Sequence, residues 1–216
     1  PGLGNISGSQ ADYFQATKGG GHGDYRLIVL APVSVKEMYD LTFLAFDLAD
    51  KYRIPVMILT DGIVGQMMEP IETIQNEKFK MKNYEKNWKL DGCKGREPRL
   101  MRSLIMEEGG LEKHNWHLKE KYDDIKKNEI RYSADFIDDA EISVVAFGIA
   151  ARICKSAVKK LRASGKKVGL IRPITLWPFP EKVISDVAAK SKKILVAELN
   201  MGQMVEDVKL AVNGKC

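Results

Sequence analysis

Residues Leu27 to Thr60 read LIVLAPVSVKEMYDLTFLAFDLADKYRIPVMILT. Leu27 to Leu30 form a continuous apolar run that Pro32 stops, which suits a strand buried on both faces of a parallel sheet. Ser34 is a good helix N-cap, and Glu37 three residues on predicts a capping box. A helix is expected over Val35 to Lys51, where Met38, Leu41, Leu44, Ala45, Leu48 and Ala49 recur at steps of three and four. Pro55 to Thr60 is a second apolar strand. Strand, helix and strand at this spacing predict a βαβ unit with a right-handed crossover.

The same alternation returns near the C-terminus. Ile142 to Phe147 is expected as a buried strand, with Gly148 making the turn. A helix over Ala150 to Ala163 is stopped by Ser164-Gly165. Lys167 to Ile171 is a strand, and Pro173 to Pro180, PITLWPFP, is a rigid connector that cannot be helical. Glu181 to Lys190 is a helix, Lys193 to Leu199 a strand, Asn200 to Gln203 a loop and Met204 to Val212 a helix. This βαβαβα order predicts a small parallel-sheet domain.

Between the two patterns, from Ile71 to Asp139, apolar periodicity weakens and charge rises. Residues Asn76 to Leu90 are lysine-rich, and Glu112 to Asp135 is expected to form a surface helix. The segment is too long for an ordinary loop, so it packs along the outside or bridges to a partner. His114 and His117 are one helical turn apart. They are either a metal pair lacking a third ligand or two solvated histidines.

In open α/β sheets, ligands gather at the carboxyl ends of strands. Ala31-Pro32 and Asp61-Gly62 occupy such ends. Just beyond the second, Met67 and Met68 face a partner or fill gaps in a core. Upstream of the first strand, seven glycines precede Asp24: Gly2, Gly4 and Gly8, then Gly19, Gly20, Gly21 and Gly23. They flank a short helix expected over Asp12 to Lys18. Glycine serves where backbone approaches something closely. The two clusters therefore read as a wall around a ligand or partner chain, or as two ordinary loops. Neither matches a phosphate-loop pattern.

The chain has 216 residues, 44% hydrophobic and 29% charged, an ordinary globular composition. Its net charge of +5 is mild, and its basic residues are mixed with acids, which argues against a nucleic-acid face. No apolar run reaches the roughly 18 residues of a membrane span, and no signal peptide is expected. Cys93, Cys154 and Cys216 make neither a disulfide framework nor a metal spacing, so reduced cysteines and a cytoplasmic location are expected. The start at Pro1 without Met, and the end on turn-like Asn213 to Cys216, suggest a piece of a longer protein.

Four motifs together carry a resemblance: GLGNISGSQADYFQATKGGGHGDYRLIVLAP (2–32), DGIVGQMMEP (61–70), RPITLWPFP (172–180) and VAELNMGQMVEDV (196–208). The sequence resembles the α-type chain of 2-oxoacid:ferredoxin oxidoreductases, and GGGHGDYR looks most like the branched-chain 2-oxoisovalerate type. The resemblance covers both ends of the chain and is loose in the middle. It implies an α/β fold: residues 1–70 would be the C-terminal part of a thiamine-diphosphate-enzyme pyrimidine-type domain. Residues 71–140 would be a charged connector, and 141–216 a transketolase C-terminal-like domain.

The resemblance further implies thiamine diphosphate with Mg, shared with a β chain that carries the diphosphate-binding domain. Small γ/δ-type subunits, ferredoxin, a 2-oxo acid and coenzyme A would complete the system. Iron–sulfur clusters would sit on other chains or domains. The family's catalytic glutamate, its Tyr-Pro-Ile-Thr-Pro loop and its substrate-binding arginine are expected upstream of Pro1, so this piece alone should be inactive. No catalytic residue is assigned within it. Gly4, Asn5, Ile6 and Ser7 are the candidate substrate contacts, or simply loop residues. His22 and Asp24 act as acid–base groups or hold a turn. Gln203 is expected at a strand end facing a chain interface, without a catalytic role. The competing readings are a non-catalytic assembly subunit and another transketolase-like thiamine-enzyme chain.

Overall fold

The computed structural model describes residues 8–19, 23–72, 84 and 86–216. The expected βαβ unit is present. Strand β1 (Ile28–Leu30) leads into helix α2 (Val35–Tyr52), which follows a short helix α1 (Tyr13–Thr17), and then into β2 (Val56–Ile58). β1 and β2 are parallel, with Ile28 opposite Val56. Ser34 caps α2 by accepting from the Glu37 N–H at 3.2 Å. The box closes one residue early, because the Glu37 carboxylate accepts from the Val33 N–H (2.8 Å) rather than from that of Ser34. It also grips Arg172 through two bonds of 2.9 Å, so the cap ties the helix to the distant half of the chain.

Asp61, at the strand end, caps a further short helix, α3 (Gly62–Gln66). The expected surface helix is α4 (Gly110–Asn128), and it ends sooner than predicted. Residues 132–135 instead form β3 (Tyr132–Asp135). α4 does not lie wholly outside the core. Ile125 is fully buried, and Tyr122 packs edge-on against Trp177 at 5.6 Å.

The C-terminal pattern gives β4 (Ile142–Ala146), α5 (Gly148–Ala163), β5 (Val168–Pro173), β6 (Thr175–Trp177), α6 (Glu181–Ala188), β7 (Lys193–Ala197) and α7 (Met204–Val212). A four-stranded sheet runs β3-β5-β4-β7. β4 is parallel to both β5 and β7, while β3 is an antiparallel edge strand on β5. The expected connector PITLWPFP contains β6, and β6 leaves this sheet. It pairs antiparallel with β1, Val29 opposite Trp177, to give a three-stranded sheet β2-β1-β6. The flanking prolines cannot donate ladder bonds, which confines β6 to three residues at a sheet edge.

One apolar cluster runs through both halves, from Val29 and Leu30 through Ile171 and Leu176 to Ile184, Met204 and Val208. A second lies under α5, around Val144, Ala151, Val158 and Leu170. An ion cluster gathers around the buried Glu129, with its cationic partners partly exposed. The Glu129 carboxylate accepts from Lys51 and the Tyr52 hydroxyl, each at 2.7 Å, and from Arg131 at 2.9 Å. Burial works against the Glu129 charge, but these three hydrogen bonds outweigh it and hold the carboxyl below its ordinary range.

Candidate functional site

The carboxyl ends of β2, β4 and β7 converge with the loop before α1 on a polar node centred on Gln10. Gln10 is buried, 5% exposed. Its backbone N–H donates to the Leu199 carbonyl (2.9 Å), and its side-chain oxygen accepts from the Leu199 N–H (3.0 Å). Its side-chain nitrogen donates to the Phe147 carbonyl (2.8 Å), and its own carbonyl accepts from Asn200 (2.9 Å). One residue thus engages the ends of two parallel strands with every polar group it has.

Asp61 performs a similar double task. One carboxylate oxygen accepts from the Ile63 and Val64 N–H groups at 2.9 and 3.1 Å, capping α3. The other accepts from the Ile149 N–H at 3.2 Å, in the first turn of α5. A carboxylate suits helix N-termini, where backbone donors lack partners. Gly148 stands between Asp61 and Gln10 with φ +53°. A Cβ there would lie 2.8 Å from the Gln10 amide nitrogen and 3.3 Å from the Asp61 carboxylate. The absent side chain is what lets both polar groups pack against this turn.

The third element is the loop after β7. The Glu198 carboxylate accepts from the N–H groups of Gln203, Met204 and Val205 at 2.8–3.1 Å, and from the Asn200 amide at 2.9 Å. Gln203 then reaches back to α1, accepting from the Phe14 N–H (2.8 Å) and donating to the Ala11 carbonyl (2.7 Å). Gln203 stands at the strand end where it was expected, and its amide is engaged within the chain, by Ala11 ahead of α1 and Phe14 inside it.

Gly8 rests against α3, where a Cβ would meet the Ile63 side chain at 2.7 Å. The candidate contacts Gly4, Asn5, Ile6 and Ser7 lie outside the described residues, as does His22. The node holds the chain on their C-terminal side. Chemically it is a positioning scaffold. Among the described residues no buried side-chain polar atom is without a partner, so the node offers neither a free base nor a nucleophile. Sequence reading missed Gln10 and Glu198, whose roles depend on partners far along the chain.

The other candidates are placed as follows. Asp24 is exposed, and the neighbouring turn is closed by the Tyr25 hydroxyl donating to the Gly19 carbonyl (2.7 Å). Met68 is 95% exposed, which removes it from any core-filling role. His114 and His117 are exposed, and no group of three or more metal-ligating residues exists among the described residues. The three cysteines are free thiols. Among the described residues no helix is long and apolar enough to cross a membrane.

Comparisons with known proteins agree with this architecture. The chain is 49% identical over 211 residues to the ketoisovalerate oxidoreductase subunit VorB of Methanothermobacter marburgensis, a match covering 98% of this chain and 59% of the relative. It is 38% identical to the 2-oxoglutarate synthase subunit KorA of Methanocaldococcus jannaschii, over 93% of this chain and 59% of that one. The chain therefore spans a little under three-fifths of the length of these relatives. A solved 2-oxoglutarate:ferredoxin oxidoreductase from Magnetococcus marinus superposes with a TM-score of 0.75 at 22% identity, over 95% of this chain and 40% of that chain. That likeness shows a shared α/β fold over nearly the whole of this chain. The family model for pyruvate:ferredoxin oxidoreductase core domain II matches residues 140–216. Residues 1–133 match the model for the thiamine-diphosphate-binding part of pyruvate flavodoxin/ferredoxin oxidoreductases, and the chain belongs to that family.

Proposed function

We propose that this chain is part of the α-type subunit of a cytoplasmic 2-oxoacid:ferredoxin oxidoreductase. The complete enzyme would oxidatively decarboxylate a 2-oxo acid with coenzyme A and ferredoxin, giving an acyl-CoA, carbon dioxide and reduced ferredoxin. A branched-chain acid is the preferred substrate, and 2-oxoglutarate the next. The observation that carries this reading is the 49% identity to a ketoisovalerate oxidoreductase subunit over 98% of the chain. Residues 1–70 and 141–216 are proposed as the two domains, joined by a connector over 71–140. A β chain, small subunits and iron–sulfur clusters on other chains would complete the assembly.

The described residues do not by themselves fit thiamine diphosphate or its Mg ion. The cavity at the strand ends, between Ser9, Gln10, Thr60, Asp61, Phe147 and Gly148, is about 10 Å³, room for about one water. Among the described residues there is also no cluster of three or more metal-ligating side chains. What this chain supplies in the proposal is shape. The node anchors the residues that follow Gly4 to Ser7, which we assign to the 2-oxo acid's side chain.

Two measurements test this. The full-length chain, assembled with its β and small subunits, should oxidise 3-methyl-2-oxobutanoate with coenzyme A and a low-potential acceptor. If neither this acid nor 2-oxoglutarate nor pyruvate is turned over, the enzymatic reading fails. In the same assembly Ser7→Tyr should lower kcat/KM for the branched acid about tenfold more than for pyruvate, the scale of a steric clash in a pocket. Unchanged ratios would remove Ser7 from the substrate. The second reading, a non-catalytic assembly subunit, draws on the exposure of Met68 (95%) and Met201 (102%) near the strand ends, as befits a surface covered by a partner.

A further inference from the structure

A second concavity lies away from the strand-end node. Arg26 precedes β1, and Trp177 ends the antiparallel β6, so both stand at the amino end of β1. There a cleft of about 430 Å³ opens between α1, α4, β6 and α7, within the size range of small-ligand sites. A neighbouring concavity of about 310 Å³ shares Arg26, Lys126 and Trp177 with it.

The first cleft is lined by four cations, Lys18, Arg26, Lys126 and Lys182, against two carboxylates, Glu181 and Asp207. Internal pairing accounts for part of this charge. Lys18 is bound to Asp207, which also accepts from the buried Tyr13 hydroxyl. Lys182 pairs with Asp186, outside the lining. Arg26 spends one guanidinium nitrogen on the Tyr25 carbonyl. Neither Arg26 nor Lys126 is in direct ion-pair contact with a carboxylate among the described residues, although the Lys126 charge helps hold the Asp123 carboxyl of the neighbouring concavity below its ordinary range. The wall beside them is apolar, formed by Leu176, Trp177 and Phe179, each less than 10% exposed.

We propose that this cleft binds an organic phosphate, a phosphate ester bearing a flat or aliphatic group. Arg26 and Lys126 meet the phosphate, with the arginine fork suited to two of its oxygens. The ester's apolar part lies along Trp177 and Phe179. A lone inorganic anion would leave that wall unused, and a neutral ligand would leave the Arg26 guanidinium without an anion. The proposal stands apart from the enzymatic assignment, because it draws on no residue of the strand-end node.

Calorimetric titration of the full-length protein with AMP, ribose 5-phosphate and inorganic phosphate tests it. AMP should bind, and Arg26→Gln and Lys126→Gln should each weaken binding about tenfold, the scale of one charge-assisted hydrogen bond. Glu181→Gln removes a negative charge from the rim and should tighten binding severalfold, which gives a readout even where an Arg26 variant folds poorly. AMP binding more tightly than ribose 5-phosphate supports a nucleotide as the source, and equal binding of the two supports a sugar phosphate. The proposal is overturned if neither ester binds, if the variants leave the affinities unchanged, or if inorganic phosphate binds as tightly as both esters.

Discussion

The strand-end node and the Glu129 cluster both join the two halves of the chain, and they do so by different chemistry. At the node, the Gln10 and Gln203 amides, two capping carboxylates and backbone groups exchange hydrogen bonds at 2.7–3.2 Å. Around Glu129, one buried carboxylate is held by a lysine, an arginine and a tyrosine hydroxyl. A network built on backbone donors demands exact backbone placement, so geometry is its weak point. An ion cluster tolerates small shifts but depends on protonation.

The largest expected effect attacks the geometry. Gly148→Ala places a methyl group against the Gln10 amide and forces a side chain onto a φ of +53°. Strain and overlap together should cost roughly 2–5 kcal/mol, read as a fall in urea midpoint. A loss below about 1 kcal/mol would show that the node relaxes freely and is not geometry-limited. Next, Gln10→Ala leaves the Phe147 carbonyl and the Leu199 N–H without their side-chain partner. It should cost about 2–3 kcal/mol, equally at pH 4 and pH 7, because an amide does not titrate in this range.

The same pair of pH values sharpens the contrast at the other site. The Glu129 carboxyl is held below its ordinary 4.5. Its stabilisation is therefore complete above that value and is lost as pH falls through the depressed one. Lys51 is held above its ordinary 10.5, chiefly by its hydrogen bond to Glu129, so its share persists through neutrality and is lost only as pH rises beyond that. Glu129→Gln should cost about 2 kcal/mol at pH 7 and clearly less in acid below the ordinary glutamate value. A cost independent of pH would make the cluster no different in kind from the node. The smallest effect belongs to Tyr13→Phe, which removes the hydroxyl bonded to Asp207 while Lys18 keeps its partner. About 1 kcal/mol is expected in thermal unfolding, and no change at all would mean that water replaces the hydroxyl without loss.

Elements with their own periodicity were legible in the sequence. α2 announces itself by apolar spacing and by Ser34, and the late β4–α5–β5 run by alternating apolar strands and a glycine stop. β6 was not legible. Three residues between prolines carry no periodic signal, and their partner β1 lies in the other half of the chain. β3 hides for a similar reason, since YSAD is a polar edge strand that forms only because β5 offers a ladder. The candidate site divides in the same way. Asp61 before Gly62 already stood at a strand end, whereas Gln10 reads as one more polar residue near a glycine cluster. Its partner Leu199 is 189 residues away, and no local pattern encodes such a pairing.

β6 also governs the order in which the molecule can be completed. During synthesis β1, α2 and β2 emerge before β6, and β1 keeps one edge unpaired by β6 until Thr175–Trp177 leaves the ribosome. Until then that apolar edge is available to other chains, and long-range pairings of this kind close late. That edge of β1 is therefore covered only once a segment nearly 150 residues further along the chain is in place.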